Sequence, residues 1–330
     1  MKMLTRLFTF LLIFASVGLF ADELLMEKTF KTGSNGLLYV KSLKGTIQVE
    51  ASTDDEVHVR VEYRDRGWGR GMEKDEIIDE LDLKIEQDGK NVNVTTRSGG
   101  NNWGWGNKWN KLQLRYIIEV PSKYNVDLNT AGGSIAVGDL NGELDAETSG
   151  GSMKFDNING PVNASTAGGS ISLDDCNGEV RVRTAGGSIS IGEVDGSVDA
   201  RTAGGSISIE KSAGTVNAQT SGGSISVDEV MGDIRAETSG GSVSARITKQ
   251  PQGDCRLTTS GGSITVYLAS ELKMDLNAKS GWGNKVYSDF DVMVKGGSGR
   301  DKSSMRGKIN GGGPELYLRT SSGRVKVLEL

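Results

Sequence analysis

The sequence has 330 residues, of which 47 are glycine and only 4 are proline, and its formal net charge at pH 7 is −5. A mildly acidic chain without a basic stripe is a poor nucleic-acid binder, so that class of function is excluded. The glycines recur at fixed intervals between apolar residues, which indicates periodic turns rather than a disordered, low-complexity chain.

The first 21 residues have the pattern of a secretory signal peptide. Lys2 and Arg6 form a short basic region, and the apolar run Leu7–Phe20 that follows is short for a membrane span. Cleavage is predicted after Ala21, and losing the two basic residues changes the charge from −5 to −7. No later segment is apolar enough to span a membrane. We therefore expect the mature chain outside the cytoplasm, in the periplasm, on the cell surface or secreted.

Residues 22–123 are predicted to form a β-rich region that caps one end of the fold. Short runs of alternating apolar and polar residues recur through it. One window, Lys74–Leu81, has helical spacing instead. The predicted strands are Leu25–Phe30, Leu37–Lys41, Thr46–Glu50, Val57–Tyr63, Leu83–Glu86, Val92–Thr96 and Leu112–Val120.

Two glycine-rich loops of this region, after Tyr63 and after Thr96, contain four tryptophans. If the strands form a meander, both loops leave the sheet at the same end. An indole offers a large apolar face and one donor, so the cluster is a candidate site for a sugar ring or a partner surface. Alternatively, the indoles pack on the solenoid or on one another, or lie in a poorly ordered loop. The predicted ligand-binding residues are Trp68, Trp103, Trp105 and Trp109.

Residues 124–282 carry a repeat of the form T-[A/S]-G-G-S-[I/V/M]-x-h, where h is apolar. A fixed short period with apolar positions predicts a solenoid, because stacked repeats bury faces that one repeat cannot. The period is 18 residues, except for one interval of 21 that contains an insertion around 249–251. We number the repeat positions from 1 to 18, starting at Ala131, Ser149, Ala167, Ala185, Ala203, Ser221, Ser239 and Ser260.

Each repeat divides into two halves in which a glycine precedes alternating apolar residues. Positions 5 and 7 are apolar in one half, as in Ile189 and Ile191, and positions 14 and 16 in the other, as in Val180 and Val182. This alternation predicts two short strands per rung, facing each other across a thin core, with successive rungs paired in parallel about 4.8 Å apart. The predicted fold is an all-β, parallel β-solenoid with 18-residue rungs.

Two other solenoids with 18-residue turns fit the repeat less well. The left-handed hexapeptide helix has one apolar residue in every six, whereas the paired h-x-h pattern here recurs with a period of nine residues. The calcium β-roll needs an aspartate where this repeat has serine at position 6, so no calcium ladder is implied.

The two predicted outer faces differ in chemistry. The strand of positions 14 and 16 exposes mixed charges such as Arg181 and Asp199, whereas the strand of positions 5 and 7 exposes an uncharged Ser-x-Ser ladder. Serine is small enough for a tight solenoid, so the ladder can be purely structural. It can also be a face for recognition or self-association or, less in keeping with its serines, for ice binding. The predicted self-association residues are Ser188, Ser190, Ser206, Ser208, Ser224 and Ser226.

Cys176 and Cys255 occupy position 10 of the third repeat and position 14 of the seventh. Four rungs separate them by roughly 19 Å, whereas a disulfide needs Cα atoms within about 7 Å. We therefore predict two buried free thiols.

Residues 283–330 are predicted to form irregular C-terminal rungs that cap the other end. Just before them, Met274, Leu276 and Ala278 resemble positions 14, 16 and 18. The segment 316–327 has the pattern of a last rung.

Catalytic residues are hard to place in this sequence. His58 is the only histidine and lies on the polar side of a predicted strand, and both cysteines fall at core positions, which argues against Ser-His-Asp and Cys-His sites. A carboxylate pair remains the enzymatic rival, although regularly spaced turn acids resemble a solvated column. We expect no catalytic residue, metal or cofactor. The turn acids are Asp156, Asp174, Asp175, Glu193, Asp228 and Glu229.

Three features together resemble a large bacterial family of domains of unknown function labelled "putative adhesin". They are the early G-x-I-x-V of Gly45–Val49, the boundary Val120-Pro121 before the repeats, and the G-G-G-P tail motif of Gly311–Val327. The resemblance implies an exported or envelope-attached β-solenoid and supplies no catalytic residues. The Trp-Gly loops are not part of the family pattern.

The sequence thus predicts an exported, non-enzymatic β-solenoid that acts as an adhesin-like binding or structural module of the cell envelope. Its expected partners are an envelope glycan, lipid or protein, or a second copy of the chain, with no nucleic acid. Two alternatives stay open, a polysaccharide-active enzyme on a β-helix and an envelope-stress or signalling accessory protein.

Overall fold

The computed structural model describes residues 22–65, 73–97, 112–281, 283–292 and 303–330. In these residues the fold is all-β, with two long sheets of 14 strands each and one short helix, α1 (Lys74–Leu81). The strands in chain order are β1 (Glu23–Lys31), β2 (Leu37–Ser42), β3 (Thr46–Ser52), β4 (Glu56–Asp65), β5 (Lys84–Asp88), β6 (Asn91–Thr95), β7 (Leu112–Pro121), β8 (Asn125–Thr130), β9 (Ile135–Val137), β10 (Leu144–Thr148), β11 (Met153–Ile158), β12 (Val162–Thr166), β13 (Ile171–Cys176), β14 (Val180–Thr184), β15 (Ile189–Val194), β16 (Val198–Thr202), β17 (Ile207–Ser212), β18 (Val216–Thr220), β19 (Ile225–Val230), β20 (Ile234–Thr238), β21 (Val243–Ile247), β22 (Cys255–Thr259), β23 (Ile264–Leu268), β24 (Met274–Lys279), β25 (Val286–Ser288), β26 (Ser304–Ile309), β27 (Glu315–Thr320) and β28 (Val325–Glu329).

Each repeat contributes one strand to each sheet, as predicted. Sheet A has the order β1-β4-β7-β3-β9-β11-β13-β15-β17-β19-β21-β23-β28-β25, and sheet B has the order β26-β24-β27-β22-β20-β18-β16-β14-β12-β10-β8-β2-β6-β5. Ile189 pairs in parallel with Ile171 on one side and Ile207 on the other, and Val198 pairs with Val180 in the same way. The predicted parallel solenoid with two strands per 18-residue rung is confirmed.

The core is the thin layer between the two sheets. Ile189 and Val198, one from each sheet, are only 1% and 2% exposed. Burying a side chain of this size contributes about 1.5–3 kcal/mol. Because each rung repeats this burial, stacking supplies the stability that a single rung lacks.

Two kinds of turn join the sheets. The threonine corner runs from position 18 to position 5, and the acidic corner runs from position 7 to position 14. At the threonine corner, the Thr202 hydroxyl donates to the carbonyl oxygen of Gly187 (2.7 Å) and accepts from the Gly205 N–H (3.3 Å). The corner threonines that repeat this bond to a glycine carbonyl are Thr130, Thr148, Thr166, Thr184, Thr220, Thr238, Thr259 and Thr320.

The insertion around 249–251 lies at an acidic corner and leaves both sheets continuous. Strand β20 still pairs with β22, and β21 with β23. The Asp233 carboxylate accepts hydrogen bonds from the backbone N–H groups of Gln252 and Gly253 at 2.9 and 2.8 Å. It thereby satisfies two backbone donors of the insertion.

The N-terminal region shares both sheets with the repeat. Strands β2 and β3 form one rung, and β6 and β7 form a terminal rung outside it, in which Val94 pairs with Val40 and Tyr116 with Ile47. Beyond this rung, β4, β1 and β5 pair antiparallel and end the sheets. Antiparallel end strands interrupt the parallel stacking that would otherwise continue into another molecule.

The last rung in sequence is not the last in space. Strands β27 and β28 pair with β22 and β23, while β24, β25 and β26 lie outside them. Leu276 pairs with Leu316 and Ala278 with Leu318, so they occupy positions 14 and 16. The predicted register of this strand is therefore wrong by two residues, a shift that leaves the same face buried.

Candidate functional site

The threonine corner of the terminal rung departs from the regular form. In a regular rung four residues join position 18 to position 5, as 149–152 do. In the terminal rung Thr96 takes position 18 and Tyr116 takes position 5, so the 19 residues 97–115 join them. The Thr96 hydroxyl also accepts the Leu43 N–H (3.0 Å), which ties this corner to the next rung.

The four predicted ligand-binding tryptophans, Trp68, Trp103, Trp105 and Trp109, lie outside the described residues, and their role stays a prediction. The structure does show where their segments attach. Strand β4 ends at Asp65 and β7 begins at Leu112, and these two residues pair across the antiparallel ladder. The two tryptophan-bearing segments are therefore tethered to neighbouring strand ends.

A cleft of about 360 Å³ lies at the end of sheet A where β4 ends and β7 begins. Gly45, at its floor, has a φ of +123°, and a Cβ atom there would lie 2.8 Å from the Leu114 carbonyl oxygen, so this corner requires glycine. The residues lining the cleft are Asp22, Lys44, Gly45, Thr46, Glu62, Tyr63, Arg64, Leu112, Gln113, Leu114, Arg115, Gly132 and Gly133.

Two arginines of the cleft hold one carboxylate. Arg64 Nε donates to Asp22 Oδ1 at 2.7 Å, and Arg115 Nη1 lies 3.1 Å from Asp22 Oδ2. The Tyr63 hydroxyl donates to Glu23 Oε2 at 2.6 Å, which fixes the start of β1 beside them. We call Arg64 and Arg115 together the arginine fork. They lie on the neighbouring strands β4 and β7, and the planar carboxylate between them joins these strands.

Positive charge exceeds negative charge among the lining side chains. Lys44, Arg64 and Arg115 face Asp22 and Glu62. Burial lowers the pKa of the Lys44 ammonium, because a low-dielectric surrounding disfavours its charged form. The cleft is thus a polar concavity with a net positive charge. No sequence motif predicted it, because its residues come from distant segments of the chain.

The predicted self-association face is exposed, but part of it has a structural role. At position 4, the Oγ atoms of Ser188, Ser206 and Ser224 each accept the serine N–H of the following rung at 3.1–3.2 Å. At position 6, Ser190 and Ser208 are exposed, and Ser226 donates to Asp228 at 3.3 Å. In this ladder the serines of position 4 satisfy backbone N–H groups of the next rung. The serines of position 6 form a polar surface, on which Ser190 and Ser208 are exposed.

The acidic corner forms a second groove of about 420 Å³, lined by residues that include Asp139, Asp175, Cys176 and Glu193. Several turn acids contact partners on their own or neighbouring strands. The Asp175 carboxylate accepts the Glu193 N–H at 3.1 Å, and Glu193 lies 3.2 Å from Lys211. The remaining pairs include Asp156 with Lys154 at 2.7 Å and Glu229 with Thr248 at 3.0 Å.

Cys255 and His58 line neither concavity, whereas Cys176 lines the groove of the acidic corner. Cys176 and Cys255 are buried free thiols, as predicted, and burial raises the pKa of each to about 11. His58 is hydrogen-bonded to Thr29 (2.9 Å) and lies 3.6 Å from Glu56 on the outer face of β4. An inert thiol and a half-exposed imidazole do not form a nucleophilic pair.

Two negative observations apply to the described part of the chain. None of its groups of His, Cys, Asp and Glu side chains is arranged to hold a metal ion. Its helix is too short and too polar to cross a membrane.

Comparisons with known proteins give a family. No curated protein matches the sequence. Solved structures aligned over 92% of this chain include a "putative adhesin" from Bacteroides fragilis NCTC 9343 (11% identity, 96% of that chain, TM-score 0.29), a "putative cell adhesion protein" from Clostridium sporogenes ATCC 15579 (11%, 99%, 0.21) and a "putative adhesin" from Parabacteroides distasonis ATCC 8503 (12%, 96%, 0.39). At these identities and TM-scores, function does not transfer. A family model described as Toastrack DUF4097 matches residues 38–328. Because this match spans most of the chain, the protein belongs to the Toastrack DUF4097 family.

Proposed function

We propose that the chain is an exported, non-enzymatic binding module of the cell envelope whose ligand site is the cleft at the threonine corner of the terminal rung. The observation that carries this proposal is the 19-residue connection at that corner, beside a cationic cleft, where regular rungs have a connection of four residues. Binding sites concentrate where a rigid, regular scaffold is interrupted by a longer connection.

The regular rungs support a scaffold role for the rest of the fold. Their inward side chains form one continuous core, and many outward polar groups bond to the next rung. Asn163 bonds to Asp145 and Asn217 to Asp199, both at 2.9 Å, across sheet B. A stiff stack of this kind holds a terminal site at a fixed distance from its other end.

Two turn acids, Asp156 and Glu193, have the contacts of surface ion pairs rather than those of a catalytic carboxylate pair. A carboxylate-pair mechanism needs one acid with a raised pKa beside an ionised partner in a substrate cleft. Asp156 and Glu193 instead contact Lys154 and Lys211, and the pKa values of both lysines are raised by their acidic partners. These are surface ion pairs that stabilise a solvated turn column.

The test is binding of the mature protein to an array of glycans and cell-envelope components. Arg115→Ala removes one arm of the fork, and Arg181→Ala is the matched control, because Arg181 is an exposed arginine paired with Glu179 on sheet B. The triple variant Trp103→Ala, Trp105→Ala, Trp109→Ala tests the predicted indole contribution. Far-UV circular dichroism and mass confirm that each variant folds.

Loss of binding in Arg115→Ala with retention in Arg181→Ala supports the cleft. Equal binding by both variants, or no binding by any folded protein, overturns it.

A second candidate, self-association along the serine ladder, is supported by the exposed hydroxyls of Ser190 and Ser208. Its test is molecular mass at increasing concentration, beside the double variant Ser190→Glu, Ser208→Glu, which should remain monomeric.

A further inference from the structure

The Asp22 carboxylate occupies the arginine fork in the way that a ligand's carboxylate would. Its two oxygens contact guanidinium groups on two different strands, at 2.7 Å (Arg64) and 3.1 Å (Arg115). Guanidinium groups match planar carboxylates because their parallel N–H donors face both oxygens. Asp22 itself belongs to no strand and precedes β1 by one residue.

The fork needs an anion between its arms. Arg115 pairs with Glu62, which stands two residues before Arg64 on β4, so two cations lie diagonally across one ladder. Like charges in such positions repel one another. Glu62 is engaged by Arg60 at 3.0 Å, which leaves Asp22 as the carboxylate in contact with both arms.

The fork is open toward the cleft. The side chains of Arg64 and Arg115 are 33% and 46% exposed, whereas that of Asp22 is 18% exposed. Each guanidinium has five N–H donors, more than the single contact with Asp22 uses. Ion pairs at this exposure are weak enough to be exchanged for another anion.

The remaining lining is suited to hydroxyl groups. Thr46 and Gln113 present polar side chains, and Gly132 and Gly133 present bare backbone, while Leu112 and Leu114 are buried. A fatty acid would find little apolar surface here. A sugar that carries a carboxylate fits both the fork and this polar wall.

We propose that the cleft binds acidic glycans through a uronic-acid carboxylate, which replaces Asp22 in the arginine fork. Asp22 is then a built-in competitor that offsets part of the fork's positive charge while the cleft is empty. This inference rests on the proposed function, because it names the ligand class of the same cleft.

The test is calorimetric titration with tri-galacturonic acid and with its methyl ester, in which uncharged methyl ester groups replace the carboxylates. The wild type should bind the acid and not the ester, and binding should weaken with salt. Asp22→Asn keeps the shape of the competitor without its charge, so it should bind the acid about two- to fivefold more tightly. Arg115→Ala should abolish binding, Arg115→Lys should weaken it, and Arg181→Ala should leave it unchanged.

Equal affinity for acid and ester, or no tighter binding by Asp22→Asn, overturns this inference. Absence of binding to tri-galacturonic acid also overturns it. A parallel titration with glucose 6-phosphate distinguishes carboxylate from phosphate recognition, and preferential binding of the phosphate contradicts the proposal. If the wild type binds only neutral glycans on the array and Arg115→Ala loses that binding, the cleft remains the ligand site. In that case the acidic-glycan inference alone fails.

Discussion

Thr202 and Gly187 are joined across one turn of the solenoid by a 2.7 Å hydrogen bond from the threonine hydroxyl to the glycine carbonyl. The same hydroxyl accepts the Gly205 N–H, so one side chain satisfies backbone groups on two successive rungs. Thr202 is 7% exposed, and water cannot easily replace these bonds. The invariant threonine of the repeat is therefore a structural residue of the corner.

Replacing Thr202 by valine should destabilise the protein by about 1–3 kcal/mol, because it leaves a buried carbonyl without its donor. The free energy of unfolding is measured by urea denaturation. Thr215→Val is the control, since Thr215 is exposed at position 13 of the next strand pair. If both variants are equally stable, the corner hydrogen bond contributes nothing.

Two adjacent glycines should respond very differently to alanine. A Cβ atom on Gly151 would overlap the Gly133 carbonyl oxygen of the preceding rung, whereas one on Gly150 would meet no atom within 4 Å. Gly151→Ala should cost about 1–3 kcal/mol of stability, or more. Gly150→Ala should be neutral or stabilising by up to about 1 kcal/mol. Similar loss of stability in both variants would contradict the close stacking of rungs at this corner.

The two thiols should be inert in the folded protein. Burial raises the pKa of Cys176 and Cys255 to about 11, so at pH 8 neither is a thiolate. Iodoacetamide should modify neither residue in native protein and both in urea, as read by intact mass. Rapid native alkylation of either would place that residue at the surface.

The same shifts predict a pH dependence of stability. Because the folded state holds the thiol protons more tightly, the stabilisation is fully present below the usual pKa near 9 and is lost as pH rises toward 11. Cys176→Ala and Cys255→Ala together should flatten the fall in unfolding free energy between pH 9 and 11. An unchanged slope in the double variant would assign the fall to other groups.

Export should leave Asp22 as the first residue of the mature chain. Expression in a bacterial host should give an extracytoplasmic protein whose intact mass lacks residues 1–21. Leu12→Arg interrupts the apolar run of the signal and should retain the full-length chain inside the cell. Full-length protein outside the cytoplasm would contradict the predicted cleavage.

The repeat could be predicted because each of its features has a local cause. Alternation at Ile189 and Ile191 specifies a strand with one buried face, and the 18-residue period specifies which residues stack. The order of the terminal rungs could not be predicted in this way. Insertion of β27 between β22 and β24 depends on pairing between strands that share one pattern.

The cleft was hidden from the sequence for a related reason. Asp22, Arg64 and Arg115 come from three segments that meet only because β1, β4 and β7 are neighbours in sheet A. No spacing rule links them. The tryptophan segments were visible as a compositional signal, but only the pairing of Asp65 with Leu112 shows that they attach side by side.

The most direct test of the account is the affinity of wild type, Arg115→Ala and Arg181→Ala for a purified cell-envelope polysaccharide fraction, measured by calorimetry. The cleft model predicts that Arg181→Ala binds like the wild type and that Arg115→Ala binds at least about tenfold more weakly, since loss of a charged hydrogen-bonded contact costs this much. Indistinguishable affinities for the two variants, with both folded, would contradict it.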